Sequence, residues 1–446
     1  MLNRSIVVFT RDLRTMDNPA LYKAAQQGEV FPLFVFDEDI LESNDLRSNR
    51  MTFLLESLED LQDGLGDLGS TLFLRNGKWV EEVINFTKEK KASTIHIAKD
   101  YSSLSKKRQN NLSDKAKKIG ASLEIHEGVA VVEPGILTPP SKEEYKIFSP
   151  YYRKWNQKEW REVLPKPKNL SPIERDKKSF ETHKKFFSIE KHSRMNGGEK
   201  FGQKRMQSWI TENLENYSDL HNDLASDRTS RLSPYLHFGC ISPLEVAVLS
   251  NDAEDESFVR QVCWRDFFLQ VLSSRPDSAK QDYRPRNFKW ISNATQYKAW
   301  KEGRTGYPLV DAGMRQLLNE GFMHNRARMV TASFFTKDLH MDWRLGAKHF
   351  MDHLIDGDVA SNQLNWQWAA GTGTDFNPHR IFNPIRQSER FDKNGDYIKR
   401  WIPELEACSA REIHDPDPSL RKEVGYPEPL VNHAETKDRY KKLYAS

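Results

Sequence analysis

An α/β half joined by a connector to an all-helical half is the fold class that the sequence predicts. It places an N-terminal doubly wound parallel sheet at 1–128, a connector at 129–198 and a helical domain at 199–446. Three observations carry this. Five β-branched or aromatic runs recur every 20 to 40 residues in the first stretch, with amphipathic segments between them, the rhythm of strand–helix–strand crossovers. Pro134, Pro139, Pro140, Pro150, Pro165, Pro167 and Pro172 then break the periodicity. Beyond 199 the apolar pattern is helical throughout, without strand-like alternation, and ten of the eleven tryptophans lie after residue 128.

In chain order, the expected strands are IVVFT (6–10), VFPLFVFD (30–37), STLFLR (70–75), STIHIA (93–98) and SLEIHE (122–127). The first runs into TRDLRTMDNPAL rather than a G-x-G-x-x-G or Walker A loop, so a dinucleotide held in the usual Rossmann manner is not supported. Arg11, Asp12 and Arg14 read best as a structural charge cluster. Residues 153–205 hold sixteen Lys or Arg against seven Asp or Glu, compatible with phosphate binding or with a solvated linker. Overall charge is only +3, and a 29% charged, 37% hydrophobic composition without an 18-residue apolar run predicts a soluble, cytoplasmic protein with no membrane partner. The N-terminus MLNRSIVVF lacks a signal-peptide pattern. Cys240, Cys263 and Cys408 are too few for a four-thiolate iron–sulfur cluster and make no CxxC pair.

The richest stretch is DGDVASNQLNWQW (356–368), where two acids, an amide and two tryptophans are a poor recipe for ordinary core. As a helix it aligns Asp358, Asn362 and Trp366 on one stripe, suited to a planar heterocycle with ring nitrogens. RTSRLSPYLHFGCIS (228–242) sets Thr229, Ser230 and Ser233 just before a helix, where hydroxyls and N-terminal amides suit phosphate oxygens, although such residues also simply cap helices. FVRQVCWRDFF (258–268) groups Gln261, Trp264 and Arg265 on one face, a stacking plane beside hydrogen-bonding groups, as recognition of an extruded base requires. In GFMHNRARMVTASFF (321–335), Asn325 and Met329 share a face. His349 and His353 lie at i, i+4 without a third ligand of the H-E-x-x-H kind, so they read as structural and no metal is expected.

From VVFTRDLR to RWIPEL (400–405), with AAGTGTDFNPHRIFNP between, the chain resembles the photolyase/cryptochrome family, most closely its bacterial cyclobutane pyrimidine dimer photolyases. The resemblance implies a Rossmann-like antenna domain and a helical FAD-binding catalytic domain. FAD would be held by Tyr217, Thr229, Ser230, Arg231, Leu232, Ser233, Phe258, Arg265, Arg328, Asp356, Gly357, Asp358 and Asn362, with Arg328 paired to Asp356 and Asn362 opposite the flavin N5. Trp366, Trp343 and Trp290 coincide with the family's electron-transfer chain. UV-damaged DNA is the implied partner, met by His221, Gln261, Trp264, Asn325, Arg326, Trp368, Arg380 and Gln387, with Gln261, Asn325, Met329 and Asn362 in catalytic roles and the protein acting as a monomer without an obligate protein partner. An antenna chromophore, 5,10-methenyltetrahydrofolate or an 8-hydroxy-deazaflavin, is open, since DYSSLSKKR (100–108) does not reproduce the folate-site Asn–Glu pair. Two departures stand out. Gln261 replaces the glutamate of dimer photolyases and resembles (6-4) photolyases, whereas MHNRxRM resembles the dimer enzymes; His221 stands where an arginine commonly meets DNA. The expected function is light-driven repair of cyclobutane dimers, with a non-repairing cryptochrome or a (6-4) photolyase as alternatives.

Overall fold

The computed structural model describes residues 3–42, 49–140, 144–170, 172, 193, 195–251, 256–286, 288–375 and 380–445. Much of the basic run at 153–205, and Phe376 to His379 of the FNPH segment, lie outside the described residues. The chain forms two compact units, 1–215 with 230–276, and 216–229 with 277–446.

The first unit is built on five parallel strands, β1 (Asn3–Phe9), β2 (Gly28–Asp37), β3 (Phe73–Gly77), β4 (Thr94–Ala98) and β5 (Ser122–His126), in the order β3-β2-β1-β4-β5. Helices cover both faces, so the central strands read as unbroken apolar runs: Ile6 to Phe9 are fully buried. One face packs Ile6, Val8, Leu33, Val35, Ile95 and Ile97 against helices Trp79–Glu89 and Ser103–Lys118. The opposite face meets helix Pro19–Gln27, which starts at a capping Asn18 followed by proline. His96 is an exception in the middle of β4. Its ring is fully buried, and desolvation pushes its pKa down to about 4.

Arg11, Asp12 and Arg14 serve architecture. The buried Arg14 guanidinium donates to the carbonyls of Asp17, Gly128 and Gly239, and Asp12 accepts from the Thr10 amide at 2.8 Å. Gly239 ends helix Ser233–Phe238 in the left-handed region, at φ 70°, and a Cβ there would lie 1.9 Å from the Arg11 carbonyl oxygen. Part of the connector is folded. Helix Phe148–Gln157 lays Phe148, Tyr151 and Trp155 on helix Ser257–Ser274, with Tyr151 and Phe267 ring centroids 5.5 Å apart.

The second unit is helical among its described residues. Helices Pro308–Glu320, Asn325–Ser333, Trp343–His353 and Val359–Ala370 enclose a core that includes Trp300, Met323, Phe334, Phe335, Trp343 and Trp366. A π-helical turn, Phe334–Asp338, continues Asn325–Ser333 and carries the buried Lys337, whose ammonium donates to the Arg380 carbonyl. Desolvation pushes the Lys337 pKa down to about 7. The C-terminal segment is clamped by Asp311, which accepts from Thr305, Gly306 and the Tyr426 hydroxyl, and by the buried Arg421, which donates to the carbonyls of Gly306, Pro416 and Pro427. His349 sits against the Trp300 ring, centroids 5.5 Å apart, and 4.6 Å from His353. Burial pushes its pKa down to about 3, as for a core histidine.

Candidate functional site

Within the first unit, helix Ser257–Ser274 buries Phe258, Val259, Val262, Cys263, Asp266 and Phe267 and turns Gln261 to solvent. Trp264 is half-buried, and its indole lies flat on Phe148, centroids 3.8 Å apart and planes 4° from parallel. Phe148 backs one face of the indole, and Phe267 and Phe268 meet it at 5.4 and 5.3 Å, so its plane is fixed. Beneath it, Asp266 Oδ2 accepts from the amides of Val131 and Val132, at 3.0 and 2.9 Å, and from the Trp155 indole at 2.9 Å. Burial pushes the Asp266 pKa up to about 7, against the opposing pull of Arg265 and these hydrogen bonds. Arg265 donates to the carbonyls of Val129 and Leu236, so it fastens the helix to the connector and to the segment after Ser233. Phe258 is buried against Trp209, centroids 4.3 Å apart.

The segment before helix Ser233–Phe238 is held by specific bonds. Arg205 donates to the Ser230 carbonyl at 2.9 Å, the Ser230 hydroxyl accepts from the Leu232 amide at 3.3 Å, and Leu232 is buried. Arg231 takes a left-handed backbone at φ 52°, unusual for a residue with a side chain and common where backbone groups are aimed at a ligand. Thr229, the last residue of the second unit's short segment, donates to Asp227 at 3.5 Å.

In the second unit, Arg328 donates to Asp356 at 2.9 Å and to the Met323 carbonyl at 2.8 Å. Gly357 lies in a tight turn in which the Asp358 amide reaches the Asp356 carbonyl at 2.7 Å. Asp358 then caps helix Val359–Ala370 by accepting from the Ser361 amide at 2.8 Å. Asn362, one turn on, donates its side-chain amide to the Ala347 carbonyl at 3.0 Å. That bond orients the group, leaving Oδ1 as its acceptor end. A carboxylate paired with arginine, together with an oriented amide, is a donor and acceptor set that fits the polar edge of a flavin ring.

Helix Trp343–His353 and the loop before it link the three tryptophans. Trp366 lies over Gly346, where a Cβ would come within 2.3 Å of its ring; Trp343 is three residues earlier, the first residue of helix Trp343–His353; and Trp290 meets His340, in the loop that precedes this helix, at a centroid distance of 5.1 Å. Trp366 and Trp343 are buried and Trp290 is half-exposed, a progression from core to surface. The Trp343 indole donates to Asp282 at 2.8 Å, and the Arg344 guanidinium both bridges to Asp282 and lies over the indole, 4.8 Å from its centroid. Asp282 escaped the sequence reading, since nothing in QDYRP marks it. Trp300 also escaped it, and lies 6.0 Å from Trp366.

The DNA-facing candidates of this unit form two groups. Tyr217 stacks on His221 at 5.0 Å; His221 meets Asn222 at 2.8 Å; and Arg326 donates to Asn222, reaches Gln387 at 3.5 Å and covers Phe391. Asn325 is exposed and touches the Met329 sulfur at 3.7 Å. In the second group, Arg380 lies over the half-buried Trp368, 4.4 Å from the ring centroid, and both donate to Asp375. Asn222, Asp375 and Phe148 are the partners that sequence reasoning missed. Only Phe148 stands in a stretch with a signal, the aromatic-rich YKIFSPYYRKW (145–155) of the connector.

Comparison with known proteins agrees along the whole chain. Residues 5–169 match the model of DNA photolyase, and residues 258–446 match the FAD binding domain of DNA photolyase. The deoxyribodipyrimidine photo-lyase of Streptomyces griseus is 42% identical over 98% of this chain and 98% of its own. A bacterial class III photolyase from Agrobacterium tumefaciens superposes with a TM-score of 0.91 at 32% identity, covering 100% of this chain and 98% of the other. A cryptochrome from Synechocystis sp. PCC6803 superposes with a TM-score of 0.90 at 27% identity, covering 99% of both chains. With the parallel sheet, the helical second unit and both family models in agreement, the chain belongs to the DNA photolyase family and carries that family's FAD-binding domain.

Proposed function

We propose that this protein is a deoxyribodipyrimidine photolyase, which splits cyclobutane pyrimidine dimers in DNA under near-ultraviolet or blue light. The observation that carries the reading is Asn362, whose amide nitrogen is tied to the Ala347 carbonyl so that its oxygen is the acceptor end of the group. A neutral amide adds no negative charge beside a reduced, anionic flavin, as an acid would. Reduced FAD, when bound, supplies the light-excited electron that opens the cyclobutane ring and recovers it afterwards. Tyr217, the 229–233 segment, Phe258, Arg265, Arg328, Asp356, Gly357, Asp358 and Asn362 hold it in this reading. Arg328 pairs with Asp356 and fixes its carboxylate in place.

Trp264 offers an indole face for a pyrimidine, with its plane set by Phe148. Gln261, Asn325, Arg326, Met329 and Trp368 line the lesion site, and His221, Arg380 and Gln387 meet the strand. Trp290, Trp343 and Trp366 pass electrons inward from the surface to restore the reduced cofactor. We assign an antenna domain to 1–128, the connector to 129–198 and the catalytic domain to 199–446, in a cytoplasmic monomer. Among the described residues no helix is long and apolar enough to cross a membrane.

The Synechocystis likeness favours one second reading, a cryptochrome that binds FAD without repairing DNA. Illumination of the reduced protein with oligonucleotides carrying either lesion separates the possibilities. Splitting of the cyclobutane dimer is expected. Repair of the (6-4) product alone would overturn the lesion assignment, and repair of neither would leave the cryptochrome reading.

A further inference from the structure

The geometry points to a divalent-metal site on the sheet of the first unit, formed by His96 of β4 with Glu124 and His126 of β5. His96 and Glu124 are register partners in adjacent parallel strands, and His126 lies two residues beyond Glu124, so strand alternation places all three side chains on one face. His96 Nδ1 and His126 Nε2 are 2.9 Å apart, and Glu124 Oε2 lies 3.6 Å from the first and 3.8 Å from the second. A point equidistant from these atoms is about 2 Å from each, the length of a zinc–imidazole or zinc–carboxylate bond.

Other features agree. The set resembles neither core nor surface: a histidine ring sits fully buried where a parallel strand ordinarily carries Val or Ile, and its Nε2 has no hydrogen-bond partner among the described residues. Gln27, from helix Pro19–Gln27, donates to the other carboxylate oxygen of Glu124 at 3.3 Å, an outer-sphere bond of the kind that orients metal ligands. Glu124 and His126 are 38% and 15% exposed, so an ion and a fourth, water ligand have access from solvent. Two imidazoles and one carboxylate suit Zn²⁺ or Co²⁺ rather than Ca²⁺ or Mg²⁺. Among the described residues, Lys23 is the cation that acts on both rings, and its charge opposes the ion. The bound ion clips the edge strand β5 to β4.

The test is calorimetric titration of the chelator-stripped, FAD-loaded protein with Zn²⁺. Absorption of the Co²⁺ form above 550 nm, beyond oxidised flavin, reports tetrahedral geometry. One equivalent should bind, and His126→Ala and Glu124→Gln should each weaken it by at least about tenfold. Lys23→Gln should strengthen it, and His353→Ala should leave it unchanged. His126 is near the surface, and unaltered far-ultraviolet ellipticity and flavin absorbance confirm that its variant is folded. No binding by the parent protein, or binding that survives both ligand substitutions, would reduce the cluster to a hydrogen-bonded histidine pair beside a glutamate.

Discussion

Asp266 should make the stability of this protein fall with rising pH across a range where most carboxylates are silent. Its side chain is fully buried under the helix that carries Gln261 and Trp264, and burial pushes its pKa up to about 7 from an ordinary 3.8. The folded protein therefore keeps a proton that the unfolded chain has released. The stabilisation is complete below about pH 4 and is lost as pH rises through about 7. At 1.36 kcal/mol for each pKa unit, the loss between pH 5 and pH 8 is about 2–3 kcal/mol. Asp266→Asn isolates it. The amide oxygen can accept the same three bonds from Val131, Val132 and Trp155, but the side chain no longer titrates. Urea unfolding of both proteins at several pH values, followed by far-ultraviolet ellipticity, should show the parent losing stability relative to the variant by that amount. Parallel pH profiles would refute the reasoning, because every other titrating group is common to both.

Trp343→Phe should slow blue-light reduction of the bound flavin by an external thiol at least about tenfold. Asp282→Asn, which weakens the acceptor of the Trp343 indole proton, should slow it by a smaller factor; unchanged transient absorption in both would remove the relay. Trp264→Ala should lose about 1–3 kcal/mol of affinity for lesion-bearing DNA, the range for stacking on one base, and much less for intact DNA. Phe148→Leu should show a weaker form of the same selective loss, since it removes the surface that sets the indole plane, and equal losses on both DNAs in filter binding would make the pair structural. Gln261→Glu should keep or improve dimer repair while giving it a pH dependence across the carboxylate range, whereas the parent should show none from this position; a pH-independent variant would place residue 261 away from the lesion.

Much of the first unit was legible because strands covered on both faces must be largely apolar, and IVVF and VFPLFVF are throughout, while TIHIA departs only at Thr94 and His96. The misses have local causes. STLFLR suggests a strand from 70, but β3 starts at Phe73 because the Ser70 amide bonds the Leu65 carbonyl and the Leu72 amide bonds the Gln62 side chain, both on helix Asn49–Asp67. Strands stop at His126, and the sustained helical period sets in near 199. That period does not reveal which core a helix joins. Helices Ser233–Phe238 and Ser257–Ser274 belong to the unit of the sheet because Phe53 packs on Tyr235 and Phe238, the Arg11 carbonyl closes on Gly239, and Asp266 gathers amides from residues 131 and 132. Each is a pairing across a hundred residues or more, and periodicity records only neighbours.

The same distinction explains the stripe Asp358, Asn362, Trp366. Its spacing established that three unusual side chains share one helical face, but not what that face meets. The structure gives Asp358 to the cap, Asn362 to the Ala347 carbonyl and Trp366 to the backbone at Gly346. The stripe therefore packs first on helix Trp343–His353, which can approach so closely because residues 346 and 347 are glycine and alanine. Adding a side chain at Gly346 would displace the Trp366 ring from helix Trp343–His353. The small pair in RLGAKHF, unremarkable in the sequence, thus sets how closely Trp366 approaches the helix that carries Trp343, and with it the spacing of the proposed electron-transfer chain.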